Sequence, residues 1–163
     1  MELSFFTQNS EVIIRLFLAL FLGMLIGAER LFVHKAAGMK THALVSLGSA
    51  LFIIVSEMIA LKYLDIGGFD PTRVASQIVV GIGFLGAGSI MLDGSHLKGL
   101  TTAGGLWVTA GIGMAAGFGF SSLACIATVF VLFVLVVVNI LEKPIRRISE
   151  DADLYKNDGV KRN

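Results

Sequence analysis

The stretch Ser121–Leu141, SSLACIATVFVLFVLVVVNIL, carries 21 consecutive residues without one charged side chain. A helix of that length, at about 1.5 Å per residue, reaches roughly 30 Å, the thickness of a bilayer's hydrocarbon core. Four further runs repeat the pattern toward the N-terminus, at residues 12–28, 43–61, 74–92 and 102–118. Together the five runs contain only Arg15 and Glu57 of the 25 charges in the chain. An ionised group at mid-depth costs several kcal/mol, whereas a helix satisfies its own backbone, so a bilayer imposes this segregation. With 163 residues, 55% of them hydrophobic, and a mean hydropathy of +0.83, a soluble globular domain is excluded. The expected fold is an all-α integral membrane protein of five transmembrane helices in one domain, residues 1–141, followed by a charged tail, residues 142–163.

The placement of Lys and Arg sets the expected orientation. With the N-terminus outside, ten of the thirteen fall on the cytoplasmic side, and only Arg15, Lys62 and Arg73 remain outside. The C-terminus is then cytoplasmic. Glu2 and Glu11 precede the first run in place of a basic region, which reads as a retained reverse anchor and not as a cleaved signal. The single cysteine, Cys125, lies within the fifth run, so neither an intramolecular disulfide nor a cysteine metal cluster can form.

Helix-start chemistry agrees with these boundaries. Asp70 and Pro71 read as an N-cap and first-turn pair for the third span, Thr101 or Thr102 as the cap of the fourth, and Ser121 or Ser122 as that of the fifth. Twelve of the nineteen glycines fall between Gly81 and Gly119. Gly81, Gly83, Gly86 and Gly88 match GxGxxG, but a dinucleotide fingerprint needs a strand and a βαβ unit that five apolar helices do not supply. In lipid, small residues let helix backbones approach closely, and Gly23 with Gly27 and Gly113 with Gly117 form GxxxG pairs. Gly81-Ile82-Gly83 recurs as Gly111-Ile112-Gly113, and folding spans three and four into a hairpin brings the two copies to the same depth. Gly81, Gly83, Gly86, Gly88, Gly111 and Gly113 are therefore expected to pack helices together, with Trp107 buried between spans.

Two polar clusters follow from the topology. The cytoplasmic one comprises Glu29, Arg30, Thr41, Asp93, Thr101 and Thr102, with Lys40, His42, His96 and Lys98 close by. Its oxygens could meet a hard cation such as Mg²⁺, but with only two carboxylates an all-protein cage is not expected. The second comprises Arg15, Glu57, Arg73 and Gln77 near the outer boundary, where opposite charges at equal depth suggest a structural ion pair. His34, His42 and His96 show no metal-ligand spacing, and no nucleophile elbow is present, so the chain does not read as an enzyme.

Four ordered motifs carry a resemblance: Leu25 to Arg30 (LIGAER), Ala37 to Val45 (AGMKTHALV), Gln77 to Gly88 (QIVVGIGFLGAG), and Gly99 to Ala103 (GLTTA) followed by Leu106-Trp107. Together they resemble the MgtC/SapB membrane family from about Arg15 to Leu141. The resemblance implies a five-helix, N-out protein of the bacterial inner membrane, from a virulence-associated family linked to Mg²⁺ limitation and intracellular growth. In some members it implies inhibition of the F-type ATP synthase. It carries over Glu29, Arg30, Gly38, Thr41, Arg73, Gln77, Gly81, Gly83, Gly86, Gly88, Thr102 and Trp107 as motif positions. Many members continue into an ACT-like domain, so this chain, ending at Asn163, is expected to be a short member without it; Thr101 stands where some virulence-associated members have asparagine.

The function expected is therefore that of a non-enzymatic, multi-pass regulator in magnesium homeostasis, with no cofactor and no nucleic-acid partner. Its surroundings would be the lipid bilayer and another membrane protein, such as the F-type ATP synthase or an ion transporter, with a homo-oligomer as a further assembly. The alternative is a small oligomeric transporter or channel for Mg²⁺ or another cation.

Overall fold

The structure, a computed structural model, describes residues 9–63, 70, 72–94 and 96–141. Five helices follow in order: α1 (Ser10–Phe32), α2 (Met39–Lys62), α3 (Thr72–Gly88), α4 (Leu100–Gly117) and α5 (Ser121–Phe133). The last runs on through a π-helical turn, Val134–Val138, so that Ser121–Leu141 is one rod. α1, α2 and this rod are long and apolar enough to cross a membrane, and α3 is a shorter apolar helix. α1, α2 and α4 make the packed centre; α5 lies against α1 and α4, while α3 rests mainly on α4 and only lightly on α2.

The packing is the reverse of a soluble protein's. Phe17, Phe32, Val80, Phe84, Val129 and Phe130 are exposed, while His42, Ser46, Thr102, Thr109 and Thr128 are buried beside a core of Ala19, Leu22, Ile26, Ala50, Ile112, Ala116 and Ala124. Large apolar surface facing outward on every helix suits a lipid solvent, and in lipid close contact between small residues takes over from the hydrophobic effect. The two GxxxG pairs supply that contact, one from α1 and one from α4, both closing on α2. A Cβ at Gly23 would stand 2.6 Å from the His42 carbonyl oxygen and one at Gly27 2.5 Å from the Met39 Cα. From α4, a Cβ at Gly113 would stand 2.2 Å from the Ser46 carbonyl oxygen and one at Gly117 2.8 Å from that of Ala50. Ser46 thus touches both glycines, and a side chain at Gly23 or Gly113 would collide with it.

Several expectations are corrected. The glycine faces of α3 and α4 do not meet: a Cβ at Gly81, Gly83, Gly88 or Gly111 would find nothing within 4 Å. The small-residue face of α4 is already taken by α2, and α3 touches α4 instead at Gly86, whose Cβ would lie 3.6 Å from that of Ala103. Trp107 is not sandwiched between helices but 55% exposed, because Thr102, Leu106, Thr109 and Gly113 form the inward face of α4 and Trp107 points away from it. The third run ends as a helix at Gly88, short of residue 92, where Ser89 and Ile90 donate their backbone N–H groups to the Gly86 and Ala87 carbonyls.

After that turn comes an unexpected hairpin. β1 (Met91–Asp93) pairs antiparallel with β2 (His96–Lys98), with Leu92 opposite Leu97. Gly99 then caps α4 at φ 94°, and a Cβ there would stand 2.0 Å from the Ser89 carbonyl oxygen, so only glycine fits. Thr101 and Thr102 accordingly lie in the first turn of α4 and not at its cap; Phe120, not Ser121 or Ser122, occupies the cap of α5. At α3 the expectation for Asp70 holds: its carboxylate accepts from the Thr72 backbone N–H at 2.9 Å and from the Thr72 hydroxyl at 2.7 Å. Those bonds hold the Asp70 carboxyl below its ordinary range. Pro71 and the tail at 142–163 lie outside the described residues.

Candidate functional site

The polar groups of the described residues gather at both ends of the bundle and along a buried seam between them. At one end, Arg15 on α1 donates from Nη1 to Glu57 Oε2 on α2 at 2.6 Å and to the Gly117 carbonyl at 3.1 Å, and pairs through Nη2 with Glu11. One guanidinium fork therefore ties α1 to α2 and neutralises the C-terminal end of α4. It also covers the α4–α5 turn, where Gly119 holds φ 80° and a Cβ would lie 3.1 Å from Arg15 Nη2. Arg73 and Gln77 do not join this network; both are exposed on α3.

The seam begins with His42, which sequence spacing placed at an interface and the structure buries completely. The Thr109 hydroxyl donates to the Gly105 carbonyl at 2.7 Å, so its oxygen accepts from His42 Nδ1 at 2.9 Å. That arrangement puts the proton on Nδ1 and leaves Nε2 as a bare acceptor, buried and without a hydrogen-bond partner among the described residues. The Ser46 hydroxyl, one turn along α2, is buried and unpartnered in the same way. The spacing of His42, Ser46 and Ala50, four apart along one face of α2, was the available signal for this seam.

At the other end the six residues expected to form one cluster are divided. Glu29 and Arg30 pair with each other, and Arg30 is only 2% exposed. Arg30, Lys35, Thr101 and Asn139 line a cavity of about 100 Å³ closed by the π-helical turn of α5. Thr41 and Thr102 line a different cavity, of about 380 Å³, between α2, α3 and α4. Asp93 is carried away on the hairpin, where Lys98 pairs with it in solvent. Each carboxylate thus faces its own cation, and no group of three or more His, Cys, Asp or Glu side chains sits together among the described residues.

Between α2 and α3 runs an apolar groove of about 710 Å³. Leu44, Phe52, Ile78 and Leu85 form its walls, the bare backbones of Gly48 and Gly81 open into it, and Gln77 is the polar group part-way along. Lys40 and Thr41 stand at one mouth. A cleft bordered by Trp107, Val79 and Leu123, of about 260 Å³, opens between α3, α4 and α5.

Comparison with known proteins adds the family. The profile of the MgtC family matches residues 16–144. YhiD of Escherichia coli (strain K12), named as a proposed magnesium transporter, is 46% identical over 130 residues, covering 78% of this chain and 60% of its own. Protein MgtC of Brucella abortus (strain 2308) is 45% identical over 132 residues, covering 81% of this chain and 51% of its own. Protein MgtC of Salmonella typhimurium (strain LT2) is 46% identical over 120 residues, covering 74% and 49%. The chain thus spans between half and three fifths of the length of these curated relatives. No solved structure matches it.

Proposed function

From the premise that the chain belongs to the MgtC family, a family of membrane proteins with magnesium-related members, we propose that it is a non-enzymatic regulator in bacterial magnesium homeostasis. It acts in the inner membrane by docking a transmembrane helix of a partner such as the F-type ATP synthase. The observation that carries this reading is the α2–α3 groove. A glycine backbone without Cβ contacts on each wall, Gly48 on α2 and Gly81 on α3, and one exposed amide, Gln77, between two helices that touch each other only lightly are what a second helix needs for close approach and one interhelical hydrogen bond. Within this reading the chain makes five spans with the N-terminus outside, supported by the five uncharged runs and the ten-to-three division of Lys and Arg, three of the helices being long and apolar enough to cross by themselves. Reporter fusions after Asn163 should report cytoplasm, and fusions at residues 65–68 the exterior.

The second reading, a small oligomeric channel or carrier for Mg²⁺, draws on the name of the YhiD relative and on the buried seam of His42, Ser46 and Thr109. Purified protein in liposomes separates the two. Regulation predicts no selective Mg²⁺ flux, together with loss of growth support at low Mg²⁺ when Gly81→Leu or Gln77→Leu blocks the groove in a protein that still folds. Selective Mg²⁺ flux that disappears on changing Gln77 or Glu29 would overturn it.

A further inference from the structure

The small cavity beneath the π-helical turn has a chemistry of its own, separate from the groove. On one side it presents Arg30, Lys35, the Thr101 hydroxyl and the Asn139 amide; on the other, Val134, Leu135 and Val138. Arg30 is the largest fully buried side chain in the described bundle, and its Nε donates to Glu29. A guanidinium buried at a cavity wall favours oxygen acceptors in the space it faces. Lys35 adds a second cation, so after Glu29 is counted the wall retains one net positive charge. Thr101 belongs to the first turn of α4, an 18-residue helix whose Gly99 cap offers no side chain to the leading N–H groups.

The valines and the leucine on the opposite wall come from the segment that winds as a π-helix, Val134–Val138. Such turns shift the side chains that follow them and recur at ligand sites. Here the shift brings Asn139 to the cavity from a helix otherwise without polar groups in its last three turns. A space of about 100 Å³ with cationic and hydrogen-bond donors on one wall and branched apolar side chains on the other is matched by a phosphate group carried on an apolar body.

We propose that the Arg30–Lys35–Thr101–Asn139 cavity binds a phosphate group of net negative charge, either an anionic phospholipid headgroup with its acyl chains lying along Val134 and Val138, or free inorganic phosphate. The assignment requires neither the partner of the regulatory reading nor a particular orientation of the spans. Arg30 and Asn139 orient the phosphoryl oxygens, Lys35 supplies the charge that discriminates anionic from zwitterionic headgroups, and Thr101 donates from its hydroxyl.

The test uses the full chain in detergent, read by native mass spectrometry and by thermal stability with phosphatidylglycerol, phosphatidylcholine or sodium phosphate. Lys35→Gln and Thr101→Val alter exposed side chains and leave buried Arg30 in place. Lys98→Gln removes an equal charge from the neighbouring hairpin, outside the cavity, and serves as the control. Phosphatidylglycerol should be retained by the unaltered protein and by Lys98→Gln, and bound about tenfold more weakly by Lys35→Gln, as loss of one charge-assisted contact predicts. Thr101→Val should weaken it less. If the source is free phosphate, saturable stabilisation by sodium phosphate should disappear in Lys35→Gln while the lipids show no preference. Equal retention of phosphatidylglycerol and phosphatidylcholine without a phosphate effect, or equal weakening by Lys98→Gln and Lys35→Gln, would overturn the proposal.

Discussion

α4 and α3 are both glycine-rich helices, yet α4 presses two of its glycines against a neighbouring backbone, leaving Gly104 and Gly111 open, and α3 presses none so closely. On α4, Gly113 and Gly117 lie against the α2 backbone so closely that an added methyl would overlap a carbonyl oxygen. On α3, Gly81, Gly83 and Gly88 face open space, and only Gly86 is pressed against a neighbour. The same residue type therefore closes a core in one helix and leaves a surface available in the other. In a bilayer this difference separates the rigid part of the molecule from the part able to receive a second protein, because close contact between backbones supplies most of the attraction between helices.

Substitutions should break that contrast unevenly, and the largest effect belongs to the clamp. Gly113→Leu must force α4 off α2; the cost should exceed the usual overpacking range of about 1–3 kcal/mol, because the neighbour is backbone and cannot rotate away. Loss of monodisperse protein in detergent would report it. Gly83→Leu, at an open position, should leave stability within about 0.5 kcal/mol of the unaltered protein. A collapse at Gly83 matching that at Gly113 would erase the distinction between the two helices.

Next comes the fork that joins the core helices. Arg15→Ala loses the Glu57 pair and the Gly117 carbonyl contact together and should cost about 2 kcal/mol, whereas Glu57→Ala, whose side chain is 41% exposed, should cost about 1 kcal/mol or less. A double-mutant cycle on thermal unfolding should return a favourable coupling, and strict additivity would show that the pair contributes nothing.

Within the clamp one change should act in the opposite direction. Ser46 buries a hydroxyl with no partner among the described residues, so Ser46→Ala removes an unmet hydrogen-bonding group and should stabilise by up to about 1 kcal/mol. A loss of stability of that size would mean that the hydroxyl is bonded. The smallest effect is expected at the entrance to α3. The Asp70 carboxyl is held low by Thr72, so its cap contributes above the ordinary carboxylate range and is lost as pH falls through the depressed folded value. Amide exchange at residues 72–75 should quicken over that acid window alone, and Asp70→Asn should remove the pH dependence.

Much of this could be read from the residues. Uncharged runs report the helices because a bilayer penalises charge at depth whatever the fold, and equal depth marks Glu57 as one half of an ion pair but leaves Arg15 and Arg73 both open as its partner; the packing of α1 on α2 selects Arg15. Faces were harder to read. Hairpin arithmetic placed Gly83 opposite Gly111 because it treated α3 and α4 as an isolated pair, whereas α2, distant in sequence, occupies the small-residue face of α4. The same omission hid the burial of His42 and the exposure of Trp107, since hydropathy measures how deep a residue lies and not which neighbour it meets. The cavity at Arg30 is legible only in part: the sequence singles out Glu29, Arg30 and Thr101, but Lys35 joins from the loop between α1 and α2, and Asn139 from just past a π-helical turn that no pattern in Val134–Val138 announces. Glycine spacing marks close contact without naming the partner.

The docking of α3 can be measured directly by paired cysteines in a Cys125→Ser background. Gly86 and Ala103 present Cβ positions 3.6 Å apart, within the range of a disulfide, while Gly83 and Gly111 have no neighbour within 4 Å. Mild oxidation should crosslink the 86–103 pair within one chain and leave the 83–111 pair reduced. Rapid intrachain crosslinking at 83–111, with none at 86–103, would show that α3 and α4 close along their glycine faces and that the open surface does not exist.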